Sequence, residues 1–344
     1  MRGGAPAGIV TVIVLLLALA ACGGGTPERI AGPTPTPDLT PVTVKVGHVA
    51  STQWAPLYVA LDRGYFDQLH VKVELQPIRL GQDPVDLVAR GQIDAAVTDF
   101  SARMFNGLGS GLKFKVVGSM AAIPTDGTAP LELEVARPLV DRGTVKTLAD
   151  LKGRKIAIAG GAGSGSGYLA SVVLQGAGVG LKDMTVIDLA ATDMETAFQV
   201  GSIDAALAPA PYSTAMEKDG QAVPKAAPPP GSTWSGVLFG AGLGGSAATR
   251  FFQALVRGAH DLVGPARTSD GTLAILSKYT GTGVDVLRTV PPYAWDPALK
   301  PDPTALAGLQ ASYRQVGLLQ YGADLPASRI MDGSYSKRAA SAVH

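Results

Sequence analysis

Polar and aromatic side chains cluster in short runs that directly follow predicted strands. Two such runs are residues 51–54 and 98–101, each with hydroxyl groups and one aromatic ring. In open α/β sheets, ligands bind in the crevice at the carboxyl ends of parallel strands. The candidate ligand-binding residues are Ser51, Thr52, Gln53, Trp54, Gly81, Gln82, Thr98, Asp99, Phe100, Ser101, Gly163, Ser164, Gly165, Ser166, Pro209, Ala210 and Tyr212, with Tyr168 and Trp234 as further aromatic candidates.

These residue types favour binding over catalysis. Trp54, Phe100 and Tyr212 offer flat apolar surfaces, and the neighbouring hydroxyl and amide groups offer hydrogen bonds. We therefore expect a small organic solute with a planar or compact apolar part and an anionic or accepting group. A pyrimidine-like or vitamin-like heterocycle and an aliphatic sulfonate both fit, and Trp54 is expected to stack on the solute.

The glycine-rich segment at residues 160–167 follows a predicted strand and precedes a helix predicted from Ser166. Such a turn directs backbone N–H groups and the positive helix end at a ligand. Residues 165–170 also fit the loose dinucleotide pattern G-x-G-x-x-A, and Asp188 lies where a ribose-binding acid would stand. A polar-ligand contact, a plain tight turn and a nucleotide site remain as alternatives. A phosphate loop is excluded because no lysine follows the glycines.

Residues for catalysis, cofactors or metals are scarce. His48, His70, His260 and His344 are far apart in the sequence, and none stands at metal-ligand spacing. No G-x-S-x-G motif is present, and Cys22 is the only cysteine. We therefore predict no enzyme activity, no cofactor and no metal. Asp94 and Asp204 precede buried strands, where we expect them to hydrogen-bond a turn.

The first residues have the pattern of an export signal. Arg2 precedes an uncharged apolar run at residues 9–21, and Leu19-Ala20-Ala21-Cys22 resembles the bacterial lipobox. This predicts a signal peptide at residues 1–21 and a lipid on Cys22 that anchors the protein outside the cytoplasm to the cell membrane. Residues 22–41, rich in Gly and Pro, form a predicted tether. Lys and Arg number 29 and Asp and Glu 28, a balance that argues against a nucleic-acid partner.

Strands alternate with capped helices after residue 41. Residues 42–46 and 71–75 alternate apolar and polar side chains, and Asp83-Pro84 is typical of a helix start. The segment Gly91-Gln92-Ile93-Asp94-Ala95-Ala96-Val97 returns 110 positions later as Gly201-Ser202-Ile203-Asp204-Ala205-Ala206-Leu207, after a helix whose predicted capping box is Thr192 with Glu195. The repeat predicts two α/β lobes, at residues 42–130 with 236–344 and at residues 131–235, with residues 235–241 as a returning strand.

Several segments together resemble one family, the substrate-binding proteins of ABC importers in the nitrate, sulfonate, taurine and thiamine-pyrimidine branch. The matching segments are residues 55–66 (APLYVALDRGYF), 89–94 (ARGQID), 148–157 (LADLKGRKIA), 201–204 (GSID) and 274–281 (AILSKYTG). The resemblance implies a type II periplasmic-binding fold, in which two α/β lobes are joined by two crossing strands around a ligand cleft. It also implies a membrane permease with a cytoplasmic ATPase as partner.

The resemblance does not identify the solute. Many relatives have Trp, an acidic residue and Pro before an aromatic residue, whereas this chain reads Ala208-Pro209-Ala210-Pro211-Tyr212. Together, the export signal, the two predicted lobes and the family resemblance predict an extracytoplasmic solute-binding lipoprotein that delivers its solute to an ABC importer. The alternatives are an exported enzyme or a sensor domain on the same fold.

Overall fold

A computed structural model describes residue 1, residues 39–78 and residues 83–341. The predicted signal peptide, Cys22 and residues 22–38 of the tether lie outside the described residues, as do Gly81, Gln82 and His344. No helix in the described part of the chain is long and apolar enough to span a bilayer.

Twelve strands are present in these ranges. They are β1 (Val42–His48), β2 (Val71–Pro77), β3 (Ala95–Asp99), β4 (Phe114–Ser119), β5 (Ala121–Ala122), β6 (Leu131–Ala136), β7 (Lys155–Ile158), β8 (Thr185–Asp188), β9 (Ala205–Pro209), β10 (Ala222–Ala226), β11 (Ser235–Gly240) and β12 (Ala294–Trp295).

Helices connect and cover the strands in the same ranges. They are α1 (Ala55–Asp62), α2 (Tyr65–Gln68), α3 (Pro84–Ala89), α4 (Ala102–Gly109), α5 (Arg137–Asp141), α6 (Gly165–Gln175), α7 (Ala191–Gln199), α8 (Tyr212–Lys218), α9 (Gly245–His260), α10 (Asp270–Thr280), α11 (Val284–Thr289), α12 (Pro303–Gln315), α13 (Ala327–Ile330) and α14 (Ser334–Ala340). Short 3₁₀ turns lie at Thr52–Trp54, Leu148–Leu151, Leu181–Asp183 and Gly264–Thr268.

Two five-stranded sheets share one topology. Sheet one has the order β2-β1-β3-β11-β4, and sheet two has the order β10-β6-β9-β7-β8. In sheet one β1 runs parallel to β2 and β3, while β11 runs antiparallel to β3 and β4. In sheet two β7 runs parallel to β8 and β9, while β6 runs antiparallel to β9 and β10. The predicted α/β class is confirmed, and β11 is the predicted returning strand. The predicted lobe boundaries stay a prediction.

The internal repeat is confirmed at the level of single hydrogen bonds. Asp94 accepts the Lys45 backbone N–H at 2.8 Å, and Asp204 accepts the Lys155 backbone N–H at 2.9 Å. Gly91 and Gly201, which end the preceding helices, have φ of 67° and 68°. Such a positive φ favours glycine, because a side chain would clash with the backbone. Both aspartates therefore hold the predicted turn before a central strand.

The predicted capping box at Thr192 and Glu195 is wrong. Helix α7 begins at Ala191, two residues before the start that a Thr192 cap implies, and Ala190 makes no side-chain cap. Thr192 thus lies inside the first turn, where its hydroxyl cannot cap the helix. Glu195 accepts hydrogen bonds from the Gln199 and Gln221 side chains, both at 3.3 Å.

Two connecting segments run side by side between the sheets. The Met120 N–H donates to Ser235 O, and the Ile123 N–H donates to Ser232 O, both at 2.9 Å. Thr233 Oγ1 donates to Ala121 O at 3.0 Å. These bonds pair the segment that links β4 to β6 with the segment that links β10 to β11. The two segments form the paired connection between the sheets.

Candidate ligand-binding site

The loop after β3 in sheet one contacts the start of α6 in sheet two. Ser101 Oγ caps α4 by accepting the Met104 N–H at 3.2 Å, and Ser164 Oγ caps α6 by accepting the Gly167 N–H at 3.0 Å. The Ala102 N–H donates to Gly163 O at 2.9 Å and joins the two loops directly. The predicted residues on these two loops, one from each sheet, therefore do meet. Helix α6 begins at Gly165, one residue before the predicted start.

Asp99 lies at the centre of this contact. Its Oδ1 atom is buried and has no hydrogen-bond partner in the described part of the chain. Burial raises the pKa of the carboxyl from its ordinary value to about 7. A Cβ atom added to Gly165 would lie 3.1 Å from Asp99 Cβ and 2.4 Å from Trp234 Cδ1. The close approach of α6 to Asp99 therefore requires glycine at position 165.

Two further buried polar atoms at the same end of sheet one have no partner among the described residues. They are Gln53 Oε1, in the loop after β1, and Ser235 Oγ, at the start of β11. Ser235 is the direct neighbour of Asp99 in the pairing of β11 with β3. Native proteins rarely leave buried polar atoms unsatisfied, so each such atom calls for an explanation such as a ligand.

Aromatic rings border the same region. The Trp234 ring is 1% exposed and lies 5.8 Å, between centroids, from the Tyr293 ring. Burial and the charge of Asp99 both raise the pKa of Tyr293. Trp295 Nε1 donates to Gln53 O at 2.9 Å. Thr52, Tyr293 and Trp295 also line a narrow cavity of about 20 Å³.

Sequence reasoning placed the aromatic surface on other rings. Trp54 is 4% exposed, donates from Nε1 to Val49 O at 2.8 Å and packs in the core of sheet one. Phe100 is 1% exposed and packs on the other face of that sheet. Hydrophobic burial takes both rings into the core of this structure, and their predicted contact with a solute stays a prediction. Sequence reasoning did not select Ser235, Tyr293 or Trp295 as candidate site residues. Of the aromatic rings that border this region, it selected only Trp234.

The remaining predicted residues have varied positions. Ser51 Oγ accepts the Gln53 N–H at 3.3 Å and so caps the short turn, while Thr98 lies within β3 and Ser166 within α6. The Ala210 N–H donates to Pro130 O at 3.0 Å. Tyr212 begins α8 with 38% of its surface exposed. Pro209 ends β9.

The glycine loop uses Asp188 as part of its own turn. Asp188 Oδ1 accepts the Gly160 N–H at 2.8 Å, and Gly160 and Gly161 have φ of 78° and 67°. The carboxylate that a nucleotide site would direct at ribose therefore holds the turn. This geometry favours the tight turn, with the start of α6 beside Asp99.

Helix α12 bridges the two sides of the contact. The Tyr313 hydroxyl lies 2.6 Å from Phe100 O, after β3, and 2.9 Å from Ser164 O, before α6. Ser312 Oγ lies 2.7 Å from Ser171 Oγ of α6. Burial raises the pKa of Tyr313 well above its ordinary value, so its hydroxyl keeps its proton. The two sheets are thus held together where the unpartnered polar atoms lie.

Comparison with known proteins identifies the class. A sequence profile of the family described as NMT1/THI5 like matches residues 51–225, and the chain belongs to this family. No curated protein sequence matches the chain.

Solved structures share the fold at low sequence identity. The alkanesulfonate-binding protein SsuA from Xanthomonas axonopodis pv. citri is 20% identical, with a TM-score of 0.62, over 86% of this chain and 98% of that one. The periplasmic nitrate-binding protein NrtA from Synechocystis PCC 6803 is 15% identical, with a TM-score of 0.68, over 90% of both chains. The desulfurization enzyme DSZB is 13% identical, with a TM-score of 0.60, over 88% of this chain and 99% of that one. The predicted type II periplasmic-binding fold is confirmed.

Proposed function

We propose that this protein is an extracytoplasmic solute-binding lipoprotein, anchored through Cys22, that delivers a small organic solute to the permease of an ABC importer. The main observation in support of this function is the group of unpartnered polar atoms on Gln53, Asp99 and Ser235. They lie where the strands of sheet one face α6. Family membership and the binding proteins among its structural neighbours support this function.

The chemistry of the site limits which solutes would fit. Asp99 Oδ1 is an unpartnered acceptor and Ser235 Oγ can donate or accept, while the start of α6 adds N–H donors. Trp234 and Tyr293 border this region with aromatic surface. These groups fit a planar solute with both N–H donors and acceptor atoms, such as an amino-substituted heterocycle. An aliphatic sulfonate would need Asp99 protonated, so that the carboxyl O–H donates a hydrogen bond to a sulfonate oxygen.

Solute entry requires the two sheets to separate. The bond from Ala102 to Gly163 and the contacts of Tyr313 close the site in this structure. The paired connection around Met120 and Ser235 is the natural hinge, because the chain passes between the two sheets through these two segments.

Calorimetric titration of the purified protein against aminopyrimidines, other heterocycles, taurine, alkanesulfonates and nitrate tests the proposal. We expect saturable one-to-one binding of one heterocycle and weaker binding of the anions. Conversion of a panel member to product, without saturable binding of any unreacted solute, would contradict a transport role.

An exported enzyme is the second candidate. The observation in its favour is Asp99, because a carboxyl with a pKa of about 7 is suited to proton transfer at neutral pH. The likeness to a desulfurization enzyme shows that the fold can carry catalysis. Mass spectrometry of the same panel after long incubation separates the two candidates.

A further inference from the structure

Three glutamate side chains meet on the face of sheet two that α8 covers. Glu132 and Glu134 are two residues apart on β6, so their side chains point to the same face. Glu217 joins them from α8, and one carboxylate oxygen from each glutamate lies within 4.8 Å of the others. None of the three is among the residues of the solute site.

Glu134 is the unusual member of this cluster. Its surface is 0% exposed, and both of its carboxylate oxygens lack a hydrogen-bond partner in the part of the chain that the structure describes. No Lys or Arg forms an ion pair with any of the three glutamates within the described ranges. A buried carboxylate without partners is costly, because it gives up its hydration and gains nothing in return.

The cross-strand neighbours of Glu134 contribute no side-chain hydrogen-bond donor. Ala208 stands opposite Glu132 and Ala206 opposite Glu134 on β9, and Pro224 stands opposite Glu134 on β10. Alanine side chains are small and apolar, and proline has no N–H group. A positive charge is what the cluster lacks.

We propose that Glu132, Glu134 and Glu217 together bind one hard divalent cation, with Ca²⁺ preferred. Carboxylate oxygens are the ligands of Ca²⁺, Mg²⁺ and Mn²⁺, whereas Zn²⁺ and Cu²⁺ sites usually include His or Cys. Oxygens bound to one Ca²⁺ at 2.3–2.6 Å lie at most roughly 5 Å apart, which the cluster satisfies. Ca²⁺ also tolerates irregular geometry better than Mg²⁺ does.

A cation here would join α8 to β6 and so have a structural role. The sequence pattern did not reveal this site because Glu217 lies far along the chain from Glu134 and matches no ligand spacing. Folding brings the three residues together when α8 packs on β6, β9 and β10.

Calorimetry on chelator-treated full-length protein tests the cation site directly, with CaCl₂, MgCl₂ and ZnCl₂ as separate titrants. We expect one equivalent of Ca²⁺ to bind and the thermal unfolding midpoint to rise with its concentration. Glu134→Gln and Glu217→Gln should each weaken Ca²⁺ binding by at least about tenfold, because even outer-shell changes cost that much. Both measurements are independent of solute binding and export.

Glu195→Gln is the matched control. Glu195 lies on α7, which packs against β9 and α8, is partly buried and accepts hydrogen bonds, but it stands outside the cluster. This variant should bind Ca²⁺ like the unmodified protein. The proposal is overturned if the unmodified protein shows no saturable Ca²⁺ or Mg²⁺ binding up to about 10 mM, far above the dissociation constants of extracellular calcium modules. It is also overturned if folded Glu217→Gln protein binds Ca²⁺ unchanged, or if only Zn²⁺ binds.

Discussion

At the residue scale, Asp99 links the solute site to stability. In the unfolded chain its carboxyl ionises near the ordinary value of 3.8, whereas burial in the folded protein raises the pKa to about 7. Between these values the unfolded state releases the proton that the folded state retains. The free energy of unfolding therefore falls as the pH rises through this window, by about 1.36 kcal/mol for each unit of pKa difference.

Asp99→Asn should remove this dependence. We expect the unliganded variant to be more stable than the unmodified protein at pH 8, by an order of a few kcal/mol, and to show a much smaller difference at pH 4. Thermal unfolding at both pH values measures the effect. The same variant should weaken binding of an N–H-donating solute. An equal stability difference at pH 4 and pH 8 would be inconsistent with a buried, titrating Asp99.

Trp54→Ala should act on the fold more than on the solute. The indole ring is buried in the core of sheet one, and truncation of a buried Trp costs roughly 3–5 kcal/mol. Urea unfolding of the variant checks the free energy of unfolding. If Trp54→Ala keeps its stability but loses solute affinity, the ring contacts the solute after all.

At the scale of elements, the start of α6 depends on a close approach to Asp99. A Cβ at position 165 would clash with Trp234 and crowd Asp99, so Gly165→Ala should keep the sheets apart and weaken solute binding by about tenfold or more. Titration of the solute measures the loss. The control is Gly271→Ala on α10, where a Cβ meets nothing within 4 Å and binding should not change.

Helix α12 contributes through the Tyr313 hydroxyl. Tyr313→Phe removes the group that contacts Phe100 O and Ser164 O, and should destabilise the closed protein by about 1 kcal/mol and speed solute release. Stopped-flow dissociation measures the release rate. Tyr321→Phe removes a hydroxyl that donates to Gln310 Oε1 and contacts neither Phe100 O nor Ser164 O, and it should leave the rate unchanged. Equal solute dissociation rates in the two variants would show that the Tyr313 hydroxyl on α12 has no role in closure.

Local patterns predicted much of the fold. Strand β1 follows from alternation, α3 from Asp83 as a cap, and the repeated turns from Gly91 and Gly201. Strands β4 and β10 were missed, since neither shows a clear alternation. The aromatic border of the site was missed because Tyr293 and Trp295 come from a distant segment that reaches the site only through tertiary folding.

At the scale of the whole molecule, the lipid anchor is a separate prediction. Cys22→Ser removes the thiol that would be acylated and should release the protein from membranes, or stall removal of the signal peptide, without altering solute affinity. Membrane fractionation and solute titration measure the two properties. A variant that stays with the membrane fraction like the unmodified protein would count against lipidation at Cys22.

The position of β11 has a consequence for biosynthesis. This strand lies between β3 and β4 in sheet one, although every strand of sheet two is encoded between β4 and β11. A chain that grows from its amino terminus can therefore complete sheet two before it can join the two parts of sheet one. Until residue 240 has been made, β3 and β4 each present an edge without its neighbour, and such edges invite pairing with other chains. The first strands to be synthesised must wait for one of the last.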